Sequence, residues 1–238
     1  MRFLFLFFVW ITQFYVSAQP GDSIVIRQID SFIDVSRTLR EKRDFENARN
    51  VLESAEKLSS SKFGFISERR GRCLFQLGLT YYDEQNYKDS EKYFKLAKSI
   101  FFDLYGRNHP LFADCLKNLS NLHYDKGEYK EAENLNLEEK EIREVTAGRE
   151  SLEYISCINN LSTLYQTTGA YTKAEPLSME ALFLSEKLLG NKHPEHLNCM
   201  NNLAILYYEM ANYEKAEELF IRLWDYRKEI FGGGQLEE

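Results

Sequence analysis

The sequence predicts an all-α solenoid of stacked helix-turn-helix hairpins, on three observations. Its four cysteines, Cys73, Cys115, Cys157 and Cys199, stand 42 residues apart. An aromatic residue followed three places later by a small one keeps the same period at Phe45/Ala48, Tyr87/Ser90, Tyr129/Ala132, Tyr171/Ala174 and Tyr213/Ala216. Within a unit, apolar residues recur at steps of three and four, the mark of a helical stripe and not of a strand. A fixed period of 20–50 residues means repeated supersecondary units, each able to bury its apolar face only against its neighbours.

The elements follow in order. Met1-Arg2 precedes an apolar run from Phe3 to Val16, interrupted at Thr12-Gln13 and ending in Val16-Ser17-Ala18. Residues 1–18 read as a secretory signal peptide cleaved after Ala18, too short for the ~20 residues of a membrane span. The mature chain is therefore expected outside the cytoplasm, periplasmic or secreted, with no membrane contact beyond that segment. Residues 19–64 form a degenerate first unit, four full units occupy 65–106, 107–148, 149–190 and 191–232, and 233–238 are a short tail. In the third full unit one stripe runs through Ile155, Ile158, Leu161, Leu164 and Tyr165, is interrupted at Gly169-Ala170, and is followed by Ala174, Leu177, Ala181, Leu184 and Leu188. Two helices of about 16–18 residues are expected, sharing neighbouring units for burial.

Columns of equivalent residues mark where these helices start, stop and meet. Gly64, Gly106, Gly148, Gly190 and Gly232 suit left-handed helix C-termini. Ser67, His109, Ser151 and His193 precede helices, with Pro110 and Pro194 next, where a missing N–H is tolerated. Gly78, Ser120, Ser162 and Ala204 mark where the helices of a hairpin approach. A bulky residue at such a site, as in Ala174→Phe on the facing helix, would force them apart at about 1–3 kcal/mol.

The stretches Asn159-Asn160-Leu161-Ser162-Thr163-Leu164-Tyr165, Gly169-Ala170-Tyr171-Thr172-Lys173-Ala174-Glu175 and Leu189-Gly190-Asn191-Lys192-His193-Pro194 resemble the tetratricopeptide repeats of kinesin light chains. The pattern recurs from Asn201 through Glu217, and the likeness covers roughly residues 66–232. It implies a right-handed superhelix whose concave groove binds protein or peptide segments. Asn136 and Glu139 stand where the family has an apolar and a small residue, so the second full unit is expected to pack less tightly.

Composition narrows the chemistry. With 30 basic and 37 acidic residues the net charge is −7, or −8 without Arg2, and no Lys/Arg run faces a phosphate backbone. Nucleic acid and anionic membrane surfaces are not expected partners. The cysteines share the buried face of the first helices, and equivalent helices pack about 8–10 Å apart, beyond the ~7 Å a disulfide spans. They are expected as free, inert thiols even after export. His109 and His193 occupy helix starts, His123 shares a column with Tyr81, Tyr165 and Tyr207, and no spacing fits a zinc site. No metal, cofactor or catalytic residue is expected: phosphate loop, nucleophile elbow and H-E-x-x-H are all missing from the sequence. Asn118-Leu119-Ser120 and Asn160-Leu161-Ser162 match the glycosylation pattern but fall on helix faces against neighbours. Asn118, Asn160 and Asn202, with Gln76, form a ladder expected to hydrogen-bond between units.

Function is therefore sought on the repeated surface. First helices line the concave side, where Lys117, Asn159 and Asn201 form one column, Asn121 and Thr163 a second, and Tyr124, Gln166 and Tyr208 a third. Amides, a hydroxyl, one ammonium and tyrosines suit an extended peptide. Lys117 alone is basic, so a clamp for a terminal carboxylate is not expected. The last helix is a competing site: Phe220, Trp224 and Phe231 leave it apolar where solenoids close with a polar cap. Either a second copy packs there, as in a self-assembling structural subunit, or the chain is the recognition part of a longer repeat protein.

Overall fold

The computed structural model describes residues 20–231. The signal segment with its cleavage site, Gly232 and the tail 233–238 lie outside the described residues. Ten helices make five antiparallel hairpins among the described residues: α1 (Pro20–Glu41) and α2 (Phe45–Phe63), α3 (Glu68–Asp83) and α4 (Tyr87–Tyr105), α5 (Pro110–Asp125) and α6 (Tyr129–Thr146), α7 (Leu152–Thr167) and α8 (Tyr171–Leu189), α9 (Pro194–Glu209) and α10 (Tyr213–Phe231).

Local chemistry sets these boundaries. The His109, Ser151 and His193 side chains accept from the backbone N–H of Leu111, Tyr154 and Glu195, satisfying donors that the first turn leaves open. The histidines at 109 and 193 are thus helix caps. Second helices end at Gly64, Gly106 and Gly190 with φ near +80°, a region that L side chains adopt only with strain. The turn inside each hairpin is also left-handed, yet Arg43, Gln85 and Ala211 hold it in three of the five units.

Hairpins close where side chains are small. A Cβ on Gly78 would lie 2.6 Å from the Phe94 ring. At the equivalent places Ser120 donates to the Ala132 carbonyl at 3.0 Å and Ser162 to the Ala174 carbonyl at 2.9 Å, each hydroxyl tying one helix to its partner's backbone.

Hairpins then stack. Every helix packs against those before and after it, and first helices also meet each other, α1 with α3, α3 with α5, and α7 with α9. Second helices of successive units have no comparable contact, so the first helices form the inner layer of the solenoid. The cysteines are buried and free, and desolvation raises the thiols of Cys73 and Cys199 to about 12 and those of Cys115 and Cys157 further.

The array is not uniform. One apolar cluster runs from Ile29 to Ile142, another from Ala132 to Leu223, and between Ala132 and Ile142 on α6 stand Asn136 and Glu139, both buried. Glu139 is 1% exposed and accepts from Arg143 Nε at 3.3 Å, while Arg143 Nη2 donates to Asp114 at 2.5 Å. Glu139 Oε2 and Asn136 Oδ1 have no hydrogen-bond partner. The looseness expected inside this unit is not seen between its two helices, which pack as closely as those of the other hairpins.

Candidate binding groove

Bonds between successive first helices build the inner surface. Arg40 donates to Gln76 at 3.2 Å, Tyr82 to Asp125, Tyr124 shares a 2.7 Å bond with Thr167, Lys117 donates to Ser156 at 3.2 Å, and Asn202 donates to Asn159 at 3.1 Å. The amide ladder read from the sequence is thus incomplete. Gln76 and Asn202 cross between units, Asn118 instead donates to the Asp114 carbonyl of its own helix at 2.8 Å, and Asn160 has no partner among the described residues.

Three depressions follow one another along this surface. The first, about 480 Å³ between α1, α3 and α5, is charged, but its walls are paired: Arg69 meets Asp30 at 3.5 Å and Arg72 meets Glu68 at 2.6 Å. The Tyr105 hydroxyl, followed by Arg72, holds the Glu68 carboxyl below its ordinary range against the pull of burial. The second, about 190 Å³, is lined by Tyr82, Asn121, Tyr124, Asn136, Asn160 and Thr163. The third, about 400 Å³, adds Gln166, Thr167, Tyr171, Asn202 and Ile205 to Tyr124 and Thr163.

The residues expected in the groove divide accordingly. Asn121, Tyr124, Thr163 and Gln166 come together in the second and third depressions. Asn159 does not offer a free amide: it is 8% exposed and its oxygen accepts from Asn202. Lys117 reaches into the next unit, and Asn201 lines none of the three depressions. Tyr208 belongs elsewhere, on the last described hairpin. It stacks edge-on with Tyr213, ring centroids 5.5 Å apart, and with Phe220, Ile221 and Trp224 lines an apolar hollow of about 560 Å³. Phe231, the last described residue, ends α10. Among the lining residues that the sequence columns did not include are Asn136 and Asn160, with Thr167, Tyr171 and Asn202. Asn136 was visible as a departure from its own repeat, and Asn160 as the neighbour of the chosen column.

Among the described residues no group of three His, Cys, Asp or Glu side chains could hold a metal ion, and no helix is long and apolar enough to cross a membrane. His196, in the core, shares a 3.1 Å bond with Ser185, and burial lowers its pKa.

The tetratricopeptide repeat family profile matches residues 72–144 and 154–223, more than half of the chain. The chain belongs to the tetratricopeptide repeat (TPR) family. A kinesin light chain-like protein of Podosopora anserina with nearly identical TPR-like repeats is similar in structure, with TM-score 0.74 and 17% identity over 85% of this chain and 95% of that one. BtubC (BKLC) of P. vanneervenii matches with TM-score 0.75 and 19% identity over 87% and 92%. The apo form of RapI matches with TM-score 0.72 and 18% identity over 84% and 70%. At such identities the likeness is one of fold. No curated protein matches the sequence. The TPR fold is that of protein-interaction scaffolds, and the groove of this TPR chain is its polar, concave face.

Proposed function

We propose that this chain is an exported, non-catalytic TPR adaptor that binds an extended segment of a partner protein along its first helices. The observation that carries this reading is the continuous second and third depressions, where the side-chain amides of Asn121, Asn136, Asn160 and Gln166 make no hydrogen bond to another described residue. Unpaired amides on a concave wall can bond a peptide backbone in both directions, donor and acceptor. Export rests on the segment 1–18, whose short apolar run ends in small residues. The apo RapI and NprR structures, the latter a quorum sensor of B. thuringiensis, share the fold.

The test is affinity capture from the extracytoplasmic fraction of the source cells with the native chain and an Asn121→Ala, Thr163→Ala, Gln166→Ala variant of equal helicity. A protein held by the first and lost by the second supports the groove. Identical captures, or none, refute it. Export is checked separately by the mass of the mature product, expected to begin at Gln19.

One observation favours a second reading, self-association through α10. Positions 52, 94, 136 and 178 are 0–3% exposed, whereas Phe220 in the same column is 38% exposed beside Trp224. Sizing chromatography decides it: a dimer that Trp224→Glu makes monomeric supports this interface, and a monomer insensitive to the change removes it.

A further inference from the structure

The side chain that faces the small column inside each hairpin is Leu52, Phe94, Asn136, Ser178 or Phe220, one every 42 residues. Two of these positions show how the site is normally filled. The Phe94 ring occupies the space over Gly78, and Ser178 shares a 2.6 Å hydrogen bond with Ser162. In the α5–α6 hairpin the pair is Ser120 and Asn136. Ser120 donates to the Ala132 carbonyl just as Ser162 does to that of Ala174, yet the Asn136 amide, 3% exposed, bonds to nothing among the described residues. Burying an amide without a partner is unfavourable, and the repeat itself holds apolar or self-satisfied alternatives for this position.

Asn136 also forms the floor of the second depression, between residues of α5 and α7. Its walls are held rigid by bonds already made: Tyr82 to Asp125, Tyr124 with Thr167, and Thr163 to the Asn159 carbonyl at 3.0 Å. What remains unpaired are three carboxamides, Asn121 on α5, Asn160 on α7 and Asn136 beneath them. At about 190 Å³ the depression is smaller than the roughly 300–1,000 Å³ of a whole small-molecule site and suits one side chain.

Converging carboxamides present donors and acceptors together, so their complement is a group that carries both. A carboxylate would leave the amide oxygens unmatched and face Asp125 at the rim. An ammonium would leave the amide N–H groups unmatched. An apolar side chain would leave all three amides dry. We propose that this depression is the specificity subsite of the groove and that it takes the carboxamide of an Asn or Gln side chain in the bound segment, with Asn136 as the discriminating residue. The proposal rests on the groove reading given above.

A phage-displayed random heptapeptide library, panned on the chain and on its Asn136→Ser variant, tests it. Asn136→Ser introduces the residue that the next unit carries at this position, paired there to the serine across the hairpin, so it should fold. Expected are peptides enriched in Asn or Gln at one position. Changing that residue to Leu or Glu should weaken binding at least tenfold for the chain and less than threefold for Asn136→Ser. Peptides that bind the groove without such enrichment, or whose enrichment survives Asn136→Ser, overturn the subsite and leave the groove standing. Failure to retain any peptide overturns both.

Discussion

Gly78→Ala isolates the packing rule that spaces the two helices of a hairpin. In an open helix the change would stabilise by about 0.8–1 kcal/mol, because Ala loses less backbone entropy than Gly. Here the new Cβ would stand 2.6, 2.7 and 3.0 Å from three atoms of the Phe94 ring, against the ~3.5–4.0 Å of good carbon contact. The ring is fully buried and lies 5.5 Å from that of Phe75, so it has nowhere to swing. Overpacking of this kind costs about 1–3 kcal/mol, which outweighs the propensity gain and leaves the variant about 1 kcal/mol less stable. Phe94→Leu, which installs the residue found at position 52, removes the ring and costs less than the ~3–5 kcal/mol of Phe→Ala. Together the two changes should fit, because the leucine recedes from the new methyl. The double variant is expected to be about 1–2 kcal/mol more stable than the sum of the singles, within the ~0.5–3 kcal/mol seen for residues in contact. Urea unfolding followed by helical circular dichroism measures all four proteins, with m compared to detect units that uncouple. Additivity within about 0.5 kcal/mol, or a stabilised Gly78→Ala at unchanged m, would refute the reasoning.

Three further outcomes follow from buried polar groups. Desolvation raises the Glu139 carboxyl above its ordinary 4.5, so above that pH the native state holds a proton the unfolded chain has lost. Stability from this group is full below about 4.5 and falls as pH rises toward the folded value; Glu139→Gln should flatten that slope in pH-dependent urea midpoints, and an unchanged slope would exclude it as the source. Burial lowers His196 below 6.5, so the unfolded chain takes the proton first and stability drops as pH falls through about 6.5. His196→Phe, the residue that position 112 carries, should remove that drop, and a persisting one points to another group. With all four thiols buried and pushed to about 12 or above, a maleimide should label the folded chain only as fast as it unfolds. Reductant should leave the melting temperature unchanged, and rapid labelling or a reductant-sensitive Tm would contradict the burial.

Much of the architecture was legible because local rules repeat in register. Caps at His109, Ser151 and His193, left-handed stops at the glycines, and the small column from Gly78 to Ala204 each act within a few residues or one hairpin. The cysteines were readable as buried because their position on the helix face repeats without exception. The groove was legible only as a face. Asn121, Tyr124, Thr163 and Gln166 could be placed on it, but whether Asn159 offers a free amide depends on Asn202 reaching it from the next unit at 3.1 Å.

The sequence by itself thus determined the period, the helices, their ends and which face of each points inward, since these depend on neighbours along the chain. Tertiary structure alone decided which polar groups remain unpaired. The pairing across each hairpin, 16 residues along the chain, differs from unit to unit, so the same column holds a satisfied serine at 178, a packed ring at 94 and an unpartnered amide at 136.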